Sequence, residues 1–163
     1  MRFELYRLKH DVFSLLFKIK SSVELADEKE FKEIALENLE LLEKVLERIF
    51  LIESIKAGRY ILKEEGFNPT QLAGEVFGIP LKGESLFRGD PYLFTKALSA
   101  LKDVIAEPKG LKPERRSLII EGEMDALNDI KEFFLAFAEH LLSLQNVSVR
   151  THSSKIELVW EGS

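Results

Sequence analysis

The chain has 163 residues, with 45% apolar and 31% charged residues, the balance of an ordinary soluble globular protein of one domain or two small ones. It has no cysteine, which excludes a disulfide scaffold, a thiolate metal site, a cysteine nucleophile and a thioredoxin-type redox pair. A net charge of -5 and the lack of a dense Lys/Arg cluster argue against a nucleic-acid binder. No apolar run approaches the roughly 20 residues of a membrane span, and MRFELYRLKHDVFSLLFKIK lacks a signal-peptide layout, so a cytoplasmic location is expected.

Residues 2–25 contain no Pro or Gly and predict a helix, with Leu5, Leu8, Val12, Leu15 and Ile19 at alternating spacings of three and four. Ala26-Asp27-Glu28-Lys29 is a break, with Asp27 as the expected cap of a second helix over 28–57, roughly 45 Å long at 1.5 Å per residue. That helix carries two adjoining apolar stripes. Phe31, Ile34, Leu41, Val45, Ile52 and Ile55 line one, and Ala35, Leu39, Leu42, Leu46 and Ile49 line the other. A lone hairpin cannot cover both, whereas two hairpins from two chains can, so a homodimeric four-helix bundle is expected.

Beyond Ala57-Gly58 the pattern changes to mixed helix and strand. Arg59–Glu65 is expected as a short strand. Asn68-Pro69-Thr70-Gln71 reads as a cap, a Pro at the first helical position and a Gln at the third, opening a helix that closes at Phe77-Gly78. Ile79–Leu81 and Ser85–Arg88 are expected as a small hairpin. Asp90-Pro91 opens a helix to about Ala106, stopped before Pro108 and Gly110. Ser117–Glu123 reads as a buried strand, and Asp125 as the cap of a long helix over 126–144. Val147–Thr151 and Ile156–Trp160 form a closing hairpin around Ser153-Ser154. The expected domains are a helical hairpin over 1–58 and an α/β part over 59–163.

No Walker loop, G-x-S-x-G elbow or assembled zinc ligand set occurs. His140 and His152 read as a boundary histidine on an apolar helix and a turn residue. His10 differs. With Leu5, Leu8, Val12 and Leu15 facing the bundle, it falls on the outward side of the first helix, between Arg7, Lys9 and Asp11. An accessible imidazole there can act as a nucleophile, Asp11 can orient the ring, and Arg7 can offset phosphate charge. Phe13, Ser14 and Phe17 continue the same side, an arrangement suited to docking.

The order of these segments resembles a sensor histidine kinase core. LKHDVFSLLFKIKSSVEL is similar to the H-box, IESIKAGRYILKEEGFNPTQLAGEVF to the passage from dimerisation hairpin into ATPase-like domain, and RGDPYLFTKALSALKDVI to the N-box helix. The resemblance implies an α+β protein: an N-terminal hairpin forming a dimeric four-helix bundle, then a reduced ATPase-like α/β sandwich. The departures matter as much. Where the family's N-box carries Asn residues for nucleotide and magnesium, this chain has Ala100 and Val104, and EGEMDALNDIKEFF replaces the glycine-bearing adenine and lid motifs. Gly110 and Gly122 read instead as turn or strand-end residues.

A degenerate ATPase domain behind a His-bearing bundle resembles the histidine phosphotransferases of the sporulation phosphorelay type. That resemblance implies phosphoryl exchange between His10 and the Asp of response-regulator receiver domains. Arg7 and Lys9 would steady the phosphoryl group, Asp11 would accept a proton or hydrogen bond from the ring, and Phe13, Ser14 and Phe17 would meet the receiver. No cofactor is expected in this chain, Mg2+ coming from the receiver. Two other readings stay open: a non-catalytic protein that sequesters a receiver or inhibits a histidine kinase, and a receiver phosphatase in which Ser14 helps place water.

Overall fold

The computed structural model describes residues 5–25, 29–79, 81, 83, 85–124 and 127–160, and side chains from Asp11 onward. The chain is mixed α+β, with five helices and two antiparallel sheets among the described residues, and divides into two compact units, Arg2–Ile61 and Leu62–Ser163.

The first unit is a helical hairpin of α1 (Leu5–Glu24) and α2 (Lys29–Lys56), which pack against each other. On α1 the expected seam runs through Val12, Leu15 and Ile19 and continues to Ser22, whose Oγ donates to the Lys18 carbonyl at 2.7 Å. This internal bond satisfies the hydroxyl and lets a polar side chain sit in the seam. On α2 the buried line draws from both expected stripes, through Ala35, Leu42, Val45 and Ile52, with Arg48 also buried. The outer members Leu39 and Leu46 stay exposed, because one partner helix covers only one stripe. Gly58 (φ 72) closes α2 in the left-handed region glycine tolerates, and the amides of Arg59 and Tyr60 both donate to the Ser54 carbonyl. Those bonds hold the start of the segment expected as a strand over 59–65 out of any ladder. Asp27 lies outside the described residues.

The second unit begins with β1 (Glu65–Phe67), α3 (Pro69–Phe77) and β2 (Phe87–Gly89). Asn68 caps α3 as expected, its Oδ1 accepting from the amides of Thr70 and Gln71 at 3.0 and 3.3 Å, and Gly78 (φ 67) ends it. Gln71 does not return to the cap; its Nε2 lies 3.4 Å from Glu75 Oε1 on the next turn. The strand expected over 85–88 exists, but its partner is β1, with Phe67 opposite Phe87, rather than 79–81. The pairing places both rings beside Phe94, at 5.3 Å from Phe67 and 5.8 Å from Phe87, so aromatic packing sets which segment β2 joins.

Asp90 caps α4 (Pro91–Val104). The helix stops at Val104, short of the expected end, and Ile105 already has extended angles, because it finds a ladder partner in Met124. The sequence around Pro108 and Gly110, expected as a helix stop, is a nine-residue strand, β3 (Ile105–Pro113). It pairs with β4 (Ser117–Met124) through two register shifts, at Ile105/Glu107 and Pro108/Gly110. Prolines are tolerated there because β3 is an edge strand and its irregularities absorb the missing donors. Gly110 and Gly122 accordingly lie inside strands. A Cβ at Gly122 would come within 2.7 Å of the Glu107 carbonyl oxygen, so the bulge needs a glycine opposite it.

The long helix is α5 (Asp129–Ser143), capped by Asn128, whose Oδ1 accepts from the Lys131 amide at 2.8 Å; Asp125 lies outside the described residues. The closing hairpin is as expected, β5 (Val147–Thr151) and β6 (Lys155–Trp160), and the four-stranded sheet runs β3-β4-β6-β5. Leu118, Ile120, Ile156 and Leu158 from the sheet, Phe94, Leu98 and Leu101 from α4, and Phe133, Phe137 and Leu141 from α5 are all fully buried. This core is built within the unit, as α4 packs on α5 and on α3.

Candidate functional site

His10, Arg7 and Lys9 lie on the helical backbone of α1, and their side chains fall outside the described residues. The helix fixes where those positions stand. At roughly 100° per residue, His10 is about 140° around from Leu15, the most buried described residue of α1, which puts it on the side away from α2. Phe13 and Phe17 are one turn apart on this same outer edge, 57% and 72% exposed. Ser14, one turn after His10, is half-buried on the flank. Asp11 is half-buried too, since consecutive residues on a helix point about 100° apart. The helix therefore groups His10, Phe13 and Phe17, with Ser14 at the border, and turns Asp11 towards the seam.

The hairpin has a second open feature. Leu16 and Val23 of α1, and Leu36, Leu39, Leu46 and Phe50 of α2, are all exposed. They stand on the same-handed flank of their respective seams. In an antiparallel hairpin those flanks turn to one side, giving a single broad apolar face. The opposite side of α2 is acidic, with Glu30, Glu33, Glu37, Glu40 and Glu47 exposed.

In the second unit, the α4 positions that the resemblance aligns with nucleotide-holding residues are closed. Ala100 and Val104 are fully buried and belong to the packing of α4. The acidic residue at the start of α4 is a structural knot. Asp90 is 1% exposed; its Oδ1 accepts from the Leu93 amide at 3.1 Å and its Oδ2 from the Lys63 amide at 3.0 Å. Its own amide donates to Gln145 Oε1 at 2.8 Å, and Gln145 Nε2 donates to the Leu141 carbonyl at 3.3 Å. A buried carboxylate is tolerated when its lone pairs are filled in this way. Sequence reasoning identified Asp90 as a cap but not Gln145 as its partner; two residues 55 apart meet only through the packing of α4 on α5.

Among the described residues no group of three or more His, Asp or Glu side chains could hold a metal ion, and no helix is long and apolar enough to cross a membrane. A shallow surface recess at the β3–β4 turn is lined by Glu114, Arg115, Arg116, Ser117, Glu157 and Val159. Its mixed charges compensate one another, and Ser117 Oγ already donates to Glu114 Oε2 at 3.1 Å.

No protein-family model matches the sequence, and neither does any curated protein. Among solved structures, the Acinetobacter baumannii histidine kinase AdeS is similar, with a TM-score of 0.69 and 12% sequence identity over 94% of this chain and 98% of that one. At that identity the likeness is one of fold: this chain has a histidine-kinase-like fold.

Proposed function

We propose that this protein is a histidine phosphotransferase of a two-component phosphorelay, working as a homodimer in the cytoplasm. The hairpin 1–58 is its dimerisation and phosphotransfer element, and 59–163 is a degenerate ATPase-like domain. The observation that carries the reading is a contrast. On α1 an exposed aromatic edge, Phe13 and Phe17, continues the helix side on which His10 stands, while on α4 the positions expected to hold nucleotide are apolar and buried. A histidine-kinase-like fold supplies the frame in which that contrast has meaning.

In the proposed reaction the imidazole of His10 attacks the phosphorus of a receiver's aspartyl phosphate. A nitrogen–phosphorus bond forms, the acyl-phosphate oxygen–phosphorus bond breaks, and the carboxylate leaves. A second receiver reverses the step. Catalysis of this kind is positioning and charge stabilisation. Phe13, Ser14 and Phe17 dock the receiver, and Arg7 and Lys9 offset phosphoryl charge. Asp11 holds the proton on the other ring nitrogen, and the receiver brings its own Mg2+. The open face of Leu16, Val23, Leu36, Leu39, Leu46 and Phe50 is where the second hairpin packs.

The test is phosphotransfer from a panel of phosphorylated receivers from the same genome. A cognate receiver is expected to lose its label to wild-type protein, with an acid-labile phosphohistidine appearing, and to keep it with His10→Ala. Equal label retention with both proteins overturns the reading. Tight receiver binding that His10→Ala leaves intact, without phosphohistidine, replaces it with a non-catalytic receiver-sequestering protein that uses the same Phe13/Phe17 edge. Micromolar ATP binding would remove the degenerate-domain part of the proposal.

A further inference from the structure

The two edges of the four-stranded sheet are unlike. The β3 edge is guarded: it carries Pro108 and Pro113, two register shifts, and Lys112, held 2.8 Å from Glu121 Oε1. These are the devices that stop one sheet edge from pairing with another. The β5 edge has no proline and no register shift, and a single charge, Arg150. Val147-Ser148-Val149-Arg150-Thr151 contains no Pro, Gly or Lys and pairs with β6 without a register shift, and among the described residues no strand lies on its other side.

The hydrogen-bond phase of β5 follows from the ladder. The His152 amide donates to the Lys155 carbonyl at 2.9 Å, closing the hairpin, and the Trp160 amide donates to the Arg116 carbonyl at 3.0 Å on the far side of β6. Hydrogen-bonded pairs alternate along an antiparallel ladder. In the observed register, Ser148 and Arg150 therefore spend their backbone groups on Val159 and Glu157. Val147, Val149 and Thr151 direct their N–H and C=O groups out of the sheet edge.

We propose that β5 is a strand-addition edge and that its occupant is β5 of a second copy of this chain, joined antiparallel about Val149. The strand is self-complementary in that register. Its three outward-bonding residues are symmetric about Val149, so Val149 meets Val149 of the other copy and Val147 meets Thr151, giving about six inter-strand hydrogen bonds. On the exposed outer face, Arg150, the one charge in the strand, stands opposite Ser148 of the other copy rather than another arginine. The two sheets become one of eight strands. This inference is independent of the phosphotransfer reading and of hairpin dimerisation.

The test is residue-resolved amide exchange on the full-length protein over a dilution series, with Ser148→Lys, Ser148→Glu and Thr151→Pro. Exchange at Val147, Val149 and Thr151 reports this edge alone and is blind to the hairpin. These amides are expected to become protected as protein concentration rises, while those of Ser148 and Arg150 stay protected throughout. Ser148→Lys, which opposes Arg150 of the other copy, is expected to weaken association about fivefold, and Ser148→Glu to strengthen it by a similar factor at low salt. Thr151→Pro removes the outward donor that meets the Val147 carbonyl of the other copy without touching the β5–β6 ladder, and is expected to weaken the association and so shift protection of Val149 to higher protein concentration. Ser148 is exposed, so its variants keep the test valid if the proline variant does not fold. Open-chain exchange at the three amides at every concentration overturns the proposal. So does protection that is the same at all concentrations and in all variants. A shift of the same sign from Ser148→Lys and Ser148→Glu overturns the register and with it the second copy as occupant.

Discussion

The two units bury their apolar residues differently. In Leu62–Ser163 the large side chains of α4, α5 and the sheet close on one another, with Phe94, Phe133, Phe137 and Leu141 at 1% exposure or less. The large apolar side chains exposed there, Leu62, Leu86, Tyr92 and Leu127, do not form a periodic line. In Arg2–Ile61 the reverse holds, with exposed Leu16, Val23, Leu36, Leu39, Leu46 and Phe50 repeating at helical spacing. A sheet covered by helices has enough layers to seal its own core, whereas two helices have one contact line and at least two apolar stripes. The first unit thus leaves an apolar face open, while the second closes its core by its own packing.

The sharpest way to break this contrast is to open the closed core. Phe137→Ala in α5 removes a fully buried ring whose centroid is 6.3 Å from that of Phe133. It is expected to cost about 3–5 kcal/mol in denaturant unfolding of the second unit. Glutamates at Leu39 and Leu46 test the other side. If the open face packs on a second hairpin, the double variant loses about 3 kcal/mol or more of association, roughly a hundredfold in dimer dissociation by sedimentation equilibrium. Helix content at high protein concentration should change little, because both residues are exposed in the hairpin itself.

Asp90→Ala comes next. It deprives the Leu93 and Lys63 amides of their acceptors and is expected to destabilise by about 2 kcal/mol, with Asp90→Asn costing less because its Oδ1 still caps α4. Phe17→Ala, on an exposed edge, is expected to leave stability within about 0.5 kcal/mol of wild type. If the Phe13/Phe17 edge docks a receiver as proposed, the variant weakens that binding about tenfold or more by calorimetry, the measure of a docking anchor.

The smallest effect concerns Glu139. Partial burial on α5 pushes its carboxyl above its usual value of 4.5. The folded protein then holds this proton more readily than the unfolded chain. The resulting stability is complete below the usual carboxylate range and is lost as pH rises through the raised value. Glu139→Gln is expected to flatten that part of the pH–stability profile and raise stability slightly at neutral pH, read from thermal melts across mildly acid to neutral pH.

The local signals in the sequence were strong where side chain and backbone answer each other within a few residues. Asn68-Pro69, Asp90-Pro91, Gly78 and the hairpin around Ser153-Ser154 mark their elements because caps, fixed φ and tight turns are short-range chemistry. The heptad spacing of α1 likewise located the exposed side on which Phe13 and Phe17 stand. Pairing was not legible in this way. Pro108 and Gly110 read as a helix stop, and only the edge position of β3, with β4 beside it, makes a bulged strand of them. The partner of β2 was decided by the rings of Phe67, Phe87 and Phe94, and that of Asp90 by Gln145, 55 residues away. Tertiary structure also chose which line of α2 meets α1 and which stays open, since both stripes are apolar and only a partner's position distinguishes them. What the sequence determined alone is what a helix period or a turn enforces. What needed the fold is every choice among partners of similar chemistry, because such a choice is made by the packing of the whole unit and not by any segment within it.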